Sequence, residues 1–370
     1  MHPGSLNNLI IVLVFGALIL LAFLKFANPD NVNKKANFWF GLFLLLWASF
    51  WMEEIVLITN LGAINKYLAG FIHYLQIFLC VFFYFSIVFY INPNFKFQLT
   101  DSKHLIIPGL FLAINLMQFF NGDKGSTILP ALAAGLIIFQ SVLYTAIAFL
   151  KIRRHQKHVQ QFSSDTIEID LSWLERIIII LFVTSLLFAA YSFLNNMPTP
   201  NASINFVQLV AVFFIAYYSS KQKEIYPIDE KQRTELIAFN EAPLEDPKRK
   251  ILSDNDIVAL KLQLTRLMVE QKPYLDSELN LVKLADLMSL TSHQLSYLIN
   301  TGFQENFFQY INKYRVEKAK ELLLNSGKDN LSMLGIAFES GFNSKTSFNT
   351  TFKKITNKTP SEFKKSSSVL

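Results

Sequence analysis

The sequence predicts an all-α protein in two parts: a polytopic membrane helix bundle of about seven spans, then a cytoplasmic double helix-turn-helix domain. Three observations lead there. Apolar segments of membrane-crossing length fill residues 1–220. The charge is lopsided, with 12 of the 34 Lys and Arg in residues 1–220 and 22 in the shorter remainder. The C-terminal stretch then repeats one pattern twice, a short amphipathic helix, a tight turn and a second helix, with a longer helix between the copies.

The composition is 52% hydrophobic with 36 Phe and 17% charged, against about 25% charged in ordinary soluble domains. A conventional soluble globule is excluded for the chain as a whole. Cys80, the single cysteine, sits in an apolar run, so neither a disulfide framework nor a cysteine metal site is expected. The net charge of +6 permits contact with nucleic acid or anionic lipid.

The apolar segments are Leu6–Phe26, Phe38–Ile58, Tyr67–Ile91, Lys103–Phe120, Thr127–Leu150, Trp173–Leu194 and Ser203–Ser220. A bilayer core of roughly 30 Å takes about 20 helical residues, and most of them reach that. The fourth is the weakest, being short and holding Pro108, Gly109 and Asn115. No cationic run or small-residue cleavage pattern marks the N-terminus, so the first segment is expected to be a retained helix and not a signal peptide.

Charge placement sets the orientation. With the N-terminus outside, the inner gaps and the tail hold Lys25, Lys34, Lys35, Lys96, Lys103, Lys151, Arg153, Arg154, Lys157, Lys221 and Lys223. The outer gaps hold Lys66 and Lys124, so the bias is eleven to two. Basic residues favour the cytoplasmic side, which puts the C-terminal half there. Deleting the fourth span would strand the cluster at 151–157 outside, so seven spans are expected.

Polar residues inside the spans gather in the outer half: Glu53, Glu54, His73, Gln76, Gln118 and Asn205. A carboxylate in hydrocarbon costs a few kcal/mol and usually faces a cavity or a partner. Glu53, Glu54 and His73 are therefore the candidate signal site, with a structural Glu–His pair as the other reading. Adjacent helical residues point about 100° apart, so one glutamate at most is expected to face inward.

Residues 221–252 read as a charged linker with Pro227, Pro243 and Pro247, able to hold short helices. Ser253-Asp254 caps a helix with Ile257, Leu260, Leu264, Leu267 and Met268 at helical spacing. This helix either packs against the DNA-binding domain or forms a homodimer seam.

Residues 253–370 form the expected DNA-binding domain. The first helix-turn-helix spans about 281–300, the connecting helix about 307–324, and the second unit about 331–356. On the outer face of the first reading helix lie His293, Gln294, Ser296 and Tyr297; on the second lie Lys345, Thr346, Asn349 and Thr350. Lys and Asn donate to guanine and adenine edges respectively. Lys353, Lys354 and Arg315 suit phosphate contact or structure, and the last thirty residues hold six lysines against Glu362 alone.

These residues also carry a family resemblance. Leu284-Ala285 with Ser292, Leu295 and Leu298, then Phe307-Phe308, Tyr310-Ile311, Arg315-Val316 and Ala319, then Ile336-Ala337-Phe338, Gly341-Phe342-Asn343 and Thr359-Pro360 resemble the AraC/XylS class of bacterial transcription regulators. The resemblance implies two helix-turn-helix units on one DNA duplex, and hence a bacterial inner-membrane location. Where that class often places Arg or Gln, this chain has Ser296 and Tyr297, so the first unit is expected to read by contact and shape.

Together these features predict a membrane-anchored, one-component transcription regulator and not an enzyme, with no cofactor, metal or catalytic residue. Its expected partners are double-stranded DNA, the lipid bilayer, an unidentified signal molecule or membrane partner, and a second copy as a homodimer. The alternative is a transporter or channel with a DNA-binding autoregulatory tail.

Overall fold

The computed structural model describes residues 3–29, 31–121, 128–167, 169–195, 202–226, 229–241, 251–329 and 331–367. Among them every regular element is a helix, and extended pairing is limited to an isolated bridge between Ser163 and Asn280. The chain divides into two compact units, Met1–Arg153 with Leu171–Glu224, and Arg154–Asp170 with Ile225–Leu370.

The first unit holds α1 (Pro3–Ala27), α2 (Lys34–Ala48), α3 (Met52–Ile58), α4 (Lys66–Gln76), α5 (Leu79–Ile91), α6 (Ile106–Asn121), the start of α7 (Ile128–Phe162), α8 (Ser172–Asn195) and α9 (Ala202–Ser220). All seven apolar segments are thus helical. By length and composition, five helical stretches among the described residues suffice to cross a membrane, or six if the bent pair α4–α5 is one span. The remaining segment, the sixth in order, is α8, whose side chains from residue 187 onward lie outside the described residues, as does Lys124.

Helices α1, α5 and α8 have no distinct polar face, so packing and polar latches fix their neighbours. Helix α2 packs on α1 and α5, and α9 on α1 and α8, burying Phe40, Phe43, Trp47 and Tyr90. Buried Asn37 accepts from Tyr90 Oη at 2.8 Å and donates to Asn28 at 2.9 Å. At the C-terminal end of α1, Lys25 donates to the Ser219 carbonyl at 2.9 Å. The axis turns 40° between α4 and α5, where Gln140 donates to the Ile77 carbonyl at 2.6 Å. A side chain from a neighbouring helix thereby satisfies backbone that the bend releases, which an apolar setting requires. Leu20, Phe23, Phe119, Phe120, Ile138 and Leu150 are each more than half exposed, a large apolar surface for any single unit.

The second unit holds α10 (Glu230–Glu241), α11 (Asp254–Glu270), α12 (Leu281–Met288), α13 (Ser292–Leu298), α14 (Phe307–Asp329), α15 (Met333–Glu339), α16 (Lys345–Thr356) and α17 (Pro360–Ser367), together with the end of α7 and the loop after it. Its helix starts follow from its sequence. Ser253 caps α11 in a reciprocal box with Asp256, Asn280 caps α12, and Ser332 caps α15. Each supplies an oxygen to one orphan N–H of the first turn. Leu264, Leu267 and Met268 of α11 are buried, while Val258, Leu262 and Val269 on its other side are exposed. Pro227, Pro243 and Pro247 of the linker lie outside the described residues.

Candidate nucleic-acid interface

The second helix-turn-helix is built around aromatic residues. Phe342, Phe348 and Phe352 join Val316, Ala319, Leu323, Ile336 and Ala337 in one buried cluster, with Phe363 of α17 packed on it. These phenylalanines seat α16 against α14. Ser344 caps α16, accepting from the Ser347 amide at 3.1 Å. The outward face carries exposed Lys345, Thr346, Thr350, Lys353 and Lys354, with Asn349 half-buried beside them. Lys354 also lies over the Phe308 ring at 5.1 Å.

The turn between α15 and α16 depends on Gly341, whose φ is +87°. A Cβ there would collide with the Tyr274 carbonyl oxygen and press on Leu275 and Arg315. Only glycine combines that dihedral with that approach. Beside it, Arg315 is 1% exposed. Its Nε donates to the Tyr274 carbonyl and its Nη2 to the Asp276 carbonyl, both at 2.8 Å, and its guanidinium lies 5.8 Å from the Phe342 ring. Of the two roles expected for Arg315, phosphate contact or structure, the geometry gives it the structural one. Burial pulls its pKa down to about 10 against the opposing pull of Asp165, Asp276 and Glu278, so it stays charged at neutral pH.

The first unit presents its face differently. His293, Gln294, Ser296 and Tyr297 are all only partly exposed. Gln294 turns back as a cap, accepting from the Thr291 amide at 3.0 Å while its own amide donates to Thr291 Oγ1 at 3.2 Å. The Thr-x-x-Gln spacing signals that box, so its side chain is less free for a base edge than a plain outward position implies. His293 packs on the Phe239 ring of α10 at 5.0 Å, and Ser296 accepts from Asn300 at 3.4 Å. The connecting helix α14 has 23 residues, longer at its C-terminal end than expected; at 1.5 Å per residue it spans about 34 Å, comparable to one turn of DNA.

The three candidate signal residues of the first unit separate. His73 Nε2 lies 3.6 Å from Glu53 Oε1, with the two side chains 59% and 56% exposed. Glu54 points elsewhere, into a cavity of about 260 Å³ that Asn7, Asn8, Ile11, Trp51 and Asn205 also line. Trp51 donates to Asn205 at 3.0 Å and Asn205 to Asn7 at 2.9 Å. The asparagines and the tryptophan were missed as site residues; only Asn205 stood out, as a polar residue inside an apolar segment. Among the described residues no cluster of His, Cys, Asp or Glu could hold a metal ion.

A family model described as a helix-turn-helix domain matches residues 284–366. No curated protein and no solved structure matches the chain significantly. The matched stretch takes in most of the first helix-turn-helix, all of the connecting helix and the whole second unit. It supports the AraC-type resemblance for this part of the chain. That domain class is a DNA-binding regulator and not an enzyme family, and it supports DNA-binding transcription regulation as the work of residues 284–366.

Proposed function

We propose that the chain is a membrane-anchored, one-component transcription regulator. Its first unit spans the bacterial inner membrane with the N-terminus outside, and its second unit binds promoter DNA in the cytoplasm. The domains divide as 1–220 membrane, 221–252 linker and 253–370 DNA-binding. The observation that carries the reading is the joining, in one chain, of membrane-length helices with exposed apolar faces and a matched helix-turn-helix domain. The eleven-to-two distribution of basic residues supports the orientation. Reporter fusions after Lys157 and after Lys223 should both report cytoplasm. A periplasmic signal at either position overturns the topology.

DNA contact is assigned to Lys345, Thr346, Asn349 and Thr350 on the second reading helix, with Lys353 and Lys354 at phosphates. His293, Ser296 and Tyr297 serve the first. Lys345→Ala or Asn349→Ala should cost about 1–3 kcal/mol and relax preference at one or two base positions. Lys353→Ala or Lys354→Ala should weaken all duplexes alike and flatten the salt dependence. Binding curves across a randomised duplex pool distinguish the two classes, and four unaltered variants would remove α16 as the reader.

Sensing is assigned to the Glu54 cavity, whose carboxylate, amides and indole are suited to a small polar ligand. The exposed Glu53–His73 pair lies outside that lining. Glu54→Gln should change reporter output from the target promoter at unchanged membrane abundance; a fall in output that merely tracks abundance marks Glu54 as structural. A homodimer through the exposed Val258, Leu262 and Val269 side of α11 completes the proposal.

A further inference from the structure

Two segments that adjoin the apolar half in sequence contact the reading helices of the DNA-binding domain. The first is α10, anchored by Leu236 and Ile237, which are 1% and 5% exposed. From it Glu235 Oε1 accepts from Ser292 Oγ at 2.6 Å, on the first turn of α13. Gln232 accepts from Asn280 at 2.9 Å, and Phe239 covers His293. The second is the end of α7 with the loop after it. Gln161 accepts from Asn300 at 3.3 Å, just beyond α13. Ser164 donates to the Leu279 carbonyl at 3.0 Å and accepts, through its own carbonyl, from Asn312 at 2.8 Å. Asp165 Oδ1 then accepts from Ser347 Oγ at 3.2 Å, in the first turn of α16.

The arrangement is asymmetric. The second reading helix keeps an exposed lysine and threonine face, whereas all four outward residues of the first are partly covered. The α10 segment sets the Glu235 carboxylate against the first turn of α13, and like charge there opposes an approaching phosphate.

We propose that α10 and residues 160–165 form a built-in clamp that keeps the first reading helix from DNA until the clamp lifts. The inference rests on the DNA-binding reading of the second unit. In the closed state only α16 meets a duplex, so one protomer addresses one major-groove segment; in the open state α13 joins it on the next. Because α10 comes after α9 and the loop after α7 along the chain, movement of either helix end is a direct way to lift it. A site that is available only in a minor open state binds with an affinity lowered by the open fraction.

The test uses the full chain in lipid nanodiscs and a mixed-sequence 40-base-pair duplex of about four helical turns. Kd and hydroxyl-radical footprints are measured for the parent, for Glu235→Ala with Phe239→Ala, for Leu236→Asp, and for Gln161→Ala. Opening should tighten binding by about tenfold and lengthen the footprint by one helical turn, roughly 10 base pairs. The substitutions fall on separate segments, so loss of helicity in one variant leaves the others to decide. A parent footprint that already spans two successive major-groove segments, with no folded variant binding more tightly, overturns the clamp. If parent and variants alike fail to bind any duplex, the DNA-binding reading falls and the clamp with it.

Discussion

Replacing Arg315 with Leu should destabilise the C-terminal domain by about 3–5 kcal/mol, the cost of breaking a buried, hydrogen-bonded charge. Arg315 is 1% exposed, and its two donors hold the carbonyls of Tyr274 and Asp276. Those carbonyls belong to the turn between α11 and α12, so one side chain ties that turn to the connecting helix. Leucine fills part of the volume but leaves the Tyr274 carbonyl in a dry site with no donor, a penalty of about 1–3 kcal/mol by itself. Arg315→Lys keeps the charge but has no planar fork to span two acceptors, so it should recover only part of the loss. Pulse proteolysis in urea, scored by cleavage within residues 253–370, should show the Leu variant's midpoint lowered by roughly 2 M or more. An unchanged midpoint would show that the strut contributes nothing.

Gly341→Ala should be nearly as damaging, at about 3 kcal/mol, because two separate faults coincide. The φ of +87° is strained for any residue with a Cβ, and such strain costs about 1–3 kcal/mol. The new methyl also meets the Tyr274 carbonyl oxygen and Arg315 Nε, a collision that backbone cannot relieve cheaply. The turn must open, tilting α16 away from the aromatic cluster that seats it. DNA affinity should fall with stability, unlike the reader substitutions on α16, which leave stability unchanged. Since Gly341 and Arg315 share the Tyr274 carbonyl, the double variant should lose less than the two losses added, by about 0.5–3 kcal/mol. Additive effects in the same proteolysis assay would separate the two contacts.

Much of this architecture was legible in the residue pattern. The apolar segments, the paired helices with their Ser, Thr and Asn caps, and the aromatic core of the second unit depend on spacing along one helix or between neighbouring ones. Local rules therefore reach them: periodicity for α12 and α13, the Thr291–Gln294 box, the glycine turn at Gly341. The same logic separated Glu53 from Glu54, since adjacent helical positions diverge by about 100°.

Other features depended on contacts between residues far apart in sequence, which no periodicity records. Arg315 lies on an ordinary amphipathic helix, and only the fold reveals that its head meets the carbonyl of Tyr274, 41 positions away. The cavity at Glu54 joins Asn7, Trp51 and Asn205 through hydrogen bonds across as many as 198 positions. The bend between α4 and α5 is held by a glutamine from α7. The coverage of the first reading helix has the same origin: Glu235 and Gln161 are unremarkable charged and polar residues of a linker and a helix end until folding sets them against Ser292 and Asn300. Sequence alone determined the helices, their order and the outward face of the second reader, because helix formation and amphipathicity are local. The tertiary structure decided which outward residues stay accessible and which charges are buried, because side-chain packing and desolvation depend on the neighbours that folding supplies.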